Sequence, residues 1–431
     1  MANNDRIDQL HDLERCFEDR DFRKAEGWIR KARSSAVELL DELIQIPSVN
    51  PPGEQYHECA LLLSQRLRDL GFEPHLIRVP PHELQHLGLP LDHPRPSVLA
   101  SLGSNRADAP TLHFHGHYDV MPSDSASMFR LQIKGDTAWG RGTADMKGGI
   151  VSLLLAMSAL RPLASRFGGR VLLSLVPDEE TGGNAGTSYL FRSGALPPGG
   201  LGMLTPEPTG GGIWNGNRGA ISQLLTVRGK MAHVALQHQG RNAFEGLLEL
   251  GRMLQQLKSD VESRSFGDND LGIEGPLSIL LIGGLSRGGT NFNVVPKAAS
   301  FSIDRRFHPQ EEADGVEREL EAVFQDFRHK GWTLDVQNLQ RGAASLTPAG
   351  TQLVQTMAQV ISSVAGEQPR IALCPGILET RYFLAHGIPG LAYGPGELEV
   401  SHTPRECVSI TRILQVAQAY ARMAWFTLSQ V

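Results

Sequence analysis

From residue 98 onward, short apolar runs alternate with segments of helical periodicity, and this rhythm restricts the possible folds more than any other feature. The runs 110–116, 170–176 and 201–205 read as strands, and 147–160 and 184–193 as helices, the first stopped by Pro162. Such alternation buries its apolar surfaces when helices cover both faces of one sheet, which predicts an α/β fold with a mixed sheet. After Gly216 the texture changes. GAISQLLTVRGK alternates like a half-exposed strand, a helix covers 241–258, LSILLIGGL and VVPKAASFSIDRR read as strands, and helix 311–328 precedes strand 332–338. The order β-α-β-β-α-β predicts a small ferredoxin-like α+β domain at 216–340, inserted into a larger domain made of 1–215 and 341–431. The first rhythm then resumes, with helix 349–364, strand 369–373, helix 379–385, strand 389–393 and a terminal helix 408–428. Residues 7–45 read as two helices that serve packing.

Bulk properties narrow the function. A net charge of -6 and a pI near 6.2 leave no basic footprint for nucleic acid or an anionic membrane surface. The polar, acidic start lacks the apolar core of a signal peptide, and no run of about 18 apolar residues occurs, so a cytoplasmic, non-membrane protein is expected. Four cysteines without a CxxC pair suit reduced thiols, so any metal would need nitrogen and oxygen ligands.

Ionisable residues collect where strands end. Thr111-Leu-His-Phe-His-Gly-His-Tyr-Asp-Val-Met-Pro122 puts His113, His115 and His117 on one strand face; His117 lies at the carboxyl end, where α/β sheets place ligands. Asp119 can orient its imidazole through the ring nitrogen that does not face a metal, while His113 and His115 read as hydrogen-bonded core residues. The glycine-rich GRGTADMKGG delivers Asp145 to the start of helix 147–160, and lacks both dinucleotide and phosphate-loop spacings. VPDEETGG gathers Asp178, Glu179 and Glu180 at the end of strand 170–176, which demands a compensating positive charge. Neighbouring side chains diverge, so one glutamate can serve a metal and the other hold and deprotonate a water. Glu207 stands between two prolines in TPEPT. Thr403, Pro404 and Glu406 read as a capping box that pins His402 beside a helix start. Thus His117, Asp145, Glu180, Glu207 and His402 form a candidate set for two divalent ions, Zn²⁺, Mn²⁺ or Co²⁺, roughly 3.5 Å apart with Asp145 between them.

Together GHYDVMP, GRGTADMKGG, DEETGG, PEPTG and SHTPRE resemble the co-catalytic metallohydrolase family of acetylornithine deacetylase, succinyl-diaminopimelate desuccinylase, aminoacylase and carboxypeptidase G, from about SVNPPG to the C-terminus. The resemblance implies a zinc-exopeptidase-like catalytic domain with a lid that dimerises. It implies His117, Asp145 and Glu207 or Glu180 around the metals, His402 closing the second site, Asp119 as orienting acid, Glu179 as general base, and a cis bond after Asp145. It further implies that His233 of GKMAHV reaches the site of a second subunit in a homodimer and stabilises the oxyanion, that Asn293 and Arg306 lie at the lid face, and that Arg381, beside the turn at Gly376, grips a substrate carboxylate. Departures from the pattern, notably SDSASMFRLQIKGDTAWGRG, Tyr118 and Glu379, bear on the substrate. The expected activity is deacylation of a small carboxylate-bearing N-acyl amino acid by a metal-activated water. Alternatives are a metallo-exopeptidase, a hydrolytic deaminase of a non-amide, even aromatic, amine, and a non-catalytic binding protein.

Overall fold

The computed structural model describes residues 13–266 and 276–429. It divides into two compact units, one made of the chain up to Asn215, Thr347–Ile371 and the chain from Glu379 on, the other of Gly216–Leu346 and Ala372–Leu378. The second unit therefore runs past the boundary at 340 read from the sequence. Strand Thr333–Gly342 keeps pairing with Gly219–Arg228 until Gly342 stands opposite Ala220, and Ile377 lies against Gly342 so closely that an added Cβ would come within 2.7 Å.

In the first unit, strands lie in the order His75–Arg78, Pro96–Gly103, Arg170–Val176, Thr111–His117, Gly202–Thr205, Gly390–Ala392 and Ile213–Asn217. Thr111–His117 is central, parallel to both neighbours, and the outer pairs are antiparallel. Period-two alternation divides each strand between two cores. Val171, Leu173 and Leu175 join the larger cluster, with helices Lys147–Leu160 and Ile410–Ser429, whereas Leu172 and Val176 join a smaller one with Phe191 and Phe383. Helices thus cover both faces. Leu112 and Phe114 face the larger core; His113 and His115 turn the other way, each edge-on to Phe383.

Helix Lys147–Leu160 is apolar around its whole circumference because all but one of its residues are buried. Its extension Lys147–Arg166 has the length and hydropathy to cross a membrane, yet 72% of that window lies inside the fold, as for a core helix. Two N-terminal helices, Arg20–Lys31 and Arg33–Ile44, close the larger core, with Phe22 stacked on Trp425 at 5.3 Å. Residues 7–12 of the helical segment read from the sequence lie outside the described residues. Lys147, wholly buried, donates to the carbonyls of Leu43 and Ile46 at 2.9 and 2.8 Å, so an ammonium satisfies the carboxyl end of the second helix.

In the second unit, an antiparallel sheet runs in the order Ile279–Gly288, Ala298–Phe307, Gly219–Arg228, Thr333–Gly342. Helices Ala243–Glu262 and Ala313–His329 contribute Leu247, Leu250, Leu254, Leu320 and Phe324 to its core. Chain order and strand order are those of a ferredoxin-like fold.

Candidate active site

Three loops at the carboxyl ends of parallel strands, the loop that carries Asp145 and the turn that carries His402 converge. His117 ends the central strand and is buried; its Nε2 lies 3.1 Å from Asp145 Oδ1, 3.8 Å from Glu207 and 4.0 Å from Glu179. Behind it, Nδ1 stands 3.1 Å from the Asp119 carbonyl and 3.4 Å from the Asp119 carboxylate. That carboxylate also accepts from the amides of Glu179 and Glu180 at 3.2 and 3.1 Å, and from the Asn50 side chain at 2.9 Å. One buried acid therefore orients the imidazole and the acidic turn together. Tyr118 does not line the site: alternation sends it into the core, edge-on to Tyr56, with its hydroxyl donating to the Pro96 carbonyl.

Asp145 precedes helix Lys147–Leu160 across a cis peptide bond to Met146. Glu207 reaches it because glycines admit the Pro206–Glu207 backbone: a Cβ on Gly149 would fall 2.4 Å from the Pro206 carbonyl, and one on Gly394 would fall 2.2 Å from those of Pro206 and Glu207. Asp145 presents its second oxygen to His402 Nε2 at 3.3 Å, and the same nitrogen lies 3.1 Å from Glu180. Two donor groups result, His117–Asp145–Glu207 and Asp145–Glu180–His402, within each of which one ligand atom per residue lies within 4.8 Å of the others. Each can hold a cation. Glu179 belongs to neither.

The third acid of the turn is answered differently from what its neighbours suggest. Asp178 has a left-handed backbone, φ 75°, and its carboxylate meets Arg95 Nε at 3.2 Å with both side chains buried, so the chain itself supplies that charge. Arg95 also donates to the carbonyls of His93 and Pro52. His402 is held by a turn and not by a capped helix: Thr403 Oγ1 accepts from the Arg405 amide, the chain passes into strand Cys407–Ser409, and the helix begins only at Ile410. Glu406 faces away from Thr403, toward the loop before Asp145. Of the two other strand histidines, His115 bonds Ser174 and Glu379, each at 2.7 Å, but neither ring nitrogen of His113 has a well-formed partner, and burial pushes its pKa down to about 4.

Four carboxylates share this space with two imidazoles. Burial pushes Glu180 up to about 7 and Glu207 and Glu179 upward as well, with like charges adding to the effect. Hydrogen bonds to Asp145 and Glu180 push His402 up to about 10. For His117, burial opposes the charge, but bonds to Asp119, Asp145 and Glu207 outweigh it and hold the pKa well above the usual value. For Asp145, burial is outweighed by the two histidines, which hold it low. Imidazole and carboxylate without thiolate is a donor set suited to Zn²⁺, Mn²⁺ or Co²⁺.

The other residues singled out from the sequence are arranged as follows. Arg381 donates to the Gly182 carbonyl at 2.8 Å and Tyr382 to the same oxygen at 2.6 Å, so both grip the end of the acidic turn. On the second unit His233, exposed, pairs across from Val294, and Asn293 accepts from the Val234 amide, which brings these two together. Arg306 closes a bidentate pair on Asp304 at 2.7 and 3.0 Å, and the Gly376 amide donates to Cys374 Sγ. Sequence reading did not find Asn50, Arg95, Arg141 or the part played by Glu406. SVNPPG carried a signal for Asn50, used there only to mark the start of the resemblance; a lone Arg95 in a proline-rich loop carried none.

The signature of Peptidase family M20/M25/M40 matches residues 113–425. This chain belongs to that family. It is accordingly a metallohydrolase acting on amide C–N bonds. A succinyl-diaminopimelate desuccinylase of Hahella chejuensis is 28% identical over 403 residues, covering 90% of this chain and 95% of the relative. One of Gluconobacter oxydans is 30% identical over 358 residues, 80% of this chain and 86% of the relative. Among solved structures, an M20 metallo-carboxypeptidase from Sulfolobus solfataricus superposes with a TM-score of 0.74 at 19% identity, covering 91% of this chain and 98% of that one, and so shares the fold.

Proposed function

We propose that this M20 chain deacylates a small, carboxylate-bearing N-acyl amino acid with two divalent ions held by His117, Asp145 and Glu207 and by Asp145, Glu180 and His402. The observation that carries the reading is the division of Asp145, whose two oxygens face different imidazoles at 3.1 and 3.3 Å while Glu179 stands outside both donor groups. Ions bound there would supply Lewis acidity, lowering the pKa of a water and polarising an acyl carbonyl. Glu179 holds that water and takes its proton. The same carboxyl can then return that proton to the leaving amine. Asp119 fixes both partners of this step, since it holds the His117 ring and the Glu179 amide.

The substrate class rests on two supports: relatives named for removing a succinyl group from an amino-acid amine, and Arg381 at the end of the acidic turn, where a guanidinium recognises carboxylate. His233, exposed on the second unit, is the proposed oxyanion donor to a second copy in a homodimer, on the lid-motif resemblance. Incubation in ¹⁸O water of Zn²⁺- or Mn²⁺-loaded protein with N-acyl amino acids, dipeptides and aminobenzoates, beside Glu179→Gln, tests the reading. Label in a released acyl carboxylate is expected. Label only in products of dipeptides would transfer the assignment to an exopeptidase, and ammonia without a carboxylic acid would transfer it to a deaminase.

A further inference from the structure

The loop before Asp145 and the turn carrying His402 are joined by a buried ionic latch. Glu406 Oε1 accepts from the amides of Gly142, Ala144 and Asp145 at 2.8, 3.2 and 3.2 Å, and Oε2 accepts from Arg141 Nη1 at 2.5 Å. Arg141 returns the connection, donating through Nη2 to the His402 carbonyl at 3.3 Å and to the Pro122 carbonyl at 3.0 Å. Both side chains are buried, and the Gly140 amide donates to the Glu406 carbonyl. Three amides converging on one carboxylate oxygen define where that backbone lies. Glu406 lies four positions after His402, so the same acid sets the start of Asp145 and the end of the turn bearing the other imidazole.

We infer that Glu406 is a positioning residue for the metal centre, acting with Arg141 to hold Asp145 and His402 at ligand spacing without touching metal or substrate. The inference rests on the two-metal reading above. Outer residues that orient ligands are worth 10–100-fold in metal affinity, and this one orients two ligands of a single site. Removing the carboxylate leaves three buried amides without an acceptor and Arg141 without its counter-charge, so the loop and turn relax apart.

The test is calorimetric titration of chelator-stripped, full-length protein with Zn²⁺ alone, for wild type, Glu406→Leu, Glu406→Gln, Arg141→Lys, His402→Ala and the exposed neighbour Arg405→Ala, with the metal-free melting temperature of each. Wild type and Arg405→Ala should bind two ions. Glu406→Leu should weaken one of the two sites, the one His402→Ala abolishes, by 10–100-fold, and Glu406→Gln, which keeps an oxygen for the amides, should weaken it less. If Glu406→Leu fails to fold, Glu406→Gln and Arg141→Lys carry the test with a several-fold loss expected. A lower metal-free melting temperature with unchanged Zn²⁺ affinity overturns the inference and leaves the metal centre standing. Absence of Zn²⁺ binding by wild type overturns the two-metal reading and this inference with it.

Discussion

Replacing Arg95 by methionine tests how a run of three acids is tolerated at the end of a buried strand. The guanidinium meets Asp178 at 3.2 Å, donates to two carbonyls, and lies 5.5 Å from the Tyr56 ring centroid. Breaking a buried pair ordinarily costs about 3–5 kcal/mol. Here the lower end applies, because Asp178 keeps the Thr181 hydroxyl and the Ala185 amide as donors. Burial already raises the Asp178 pKa despite Arg95, so desolvation outweighs attraction and the intact pair stabilises little beyond neutral packing. Hence Arg95→Met should cost about 3 kcal/mol, while Arg95→Met with Asp178→Asn should cost only about 1, so the second substitution rescues about 2 kcal/mol. The deficit of Arg95→Met should also depend on pH. With its folded pKa raised further above the unfolded value, Asp178 opposes folding at neutral pH and ceases to do so as pH falls through the folded value toward about 4, so the deficit shrinks on acidification. Urea unfolding of chelated protein at pH 7.5 and 5, read as midpoint shifts at constant slope, measures both effects. Additive single effects, or a deficit equal at both pH values, would refute this account of the turn.

Three further outcomes are expected. Glu179→Gln should lower kcat by about 10²–10⁴, the usual weight of a general base, with both Zn²⁺ affinities within twofold of wild type, because Glu179 lies outside both donor groups; steady-state kinetics and calorimetry check this. Asp119→Asn turns an amide toward the Glu179 or Glu180 N–H and loosens His117, so metal affinity should drop about 10–100-fold along with kcat. His113→Phe should reduce acid sensitivity: a histidine whose folded pKa is pushed down to about 4 loses stability as pH falls from about 6.5 toward that value, at about 1.4 kcal/mol per unit, so the wild-type minus variant difference in chelated protein should narrow toward pH 4.5.

Much of the site was legible because metal chemistry selects residue types that stand out at strand ends. His117, Asp145, Glu180, Glu207 and His402 were each named from local pattern, and the structure gathers them within one cluster. The reading failed where a side chain satisfied a plausible local role and a distant one equally. Glu406 has the spacing of a capping box, yet it crosses to Gly142, Ala144 and Asp145, since three buried amides need an acceptor more than an exposed turn does. Asp178 belonged to the acidic run that demanded a compensating positive charge, and Arg95, 83 residues earlier, supplies its share.

The sequence by itself determined the order of elements, the inserted β-α-β-β-α-β unit and the chemical type of the centre, because periodicity, turn residues and ligand preference are properties of neighbours along the chain. Only the tertiary structure decided that Glu207 joins His117 while Glu180 joins His402, that Asp145 divides its oxygens between them, and that Asn50, Arg95, Arg141 and Glu406 hold the arrangement. Those pairings are set by which loops converge at the end of a twisted sheet, and contacts between residues 28 to 265 positions apart leave no mark in local spacing.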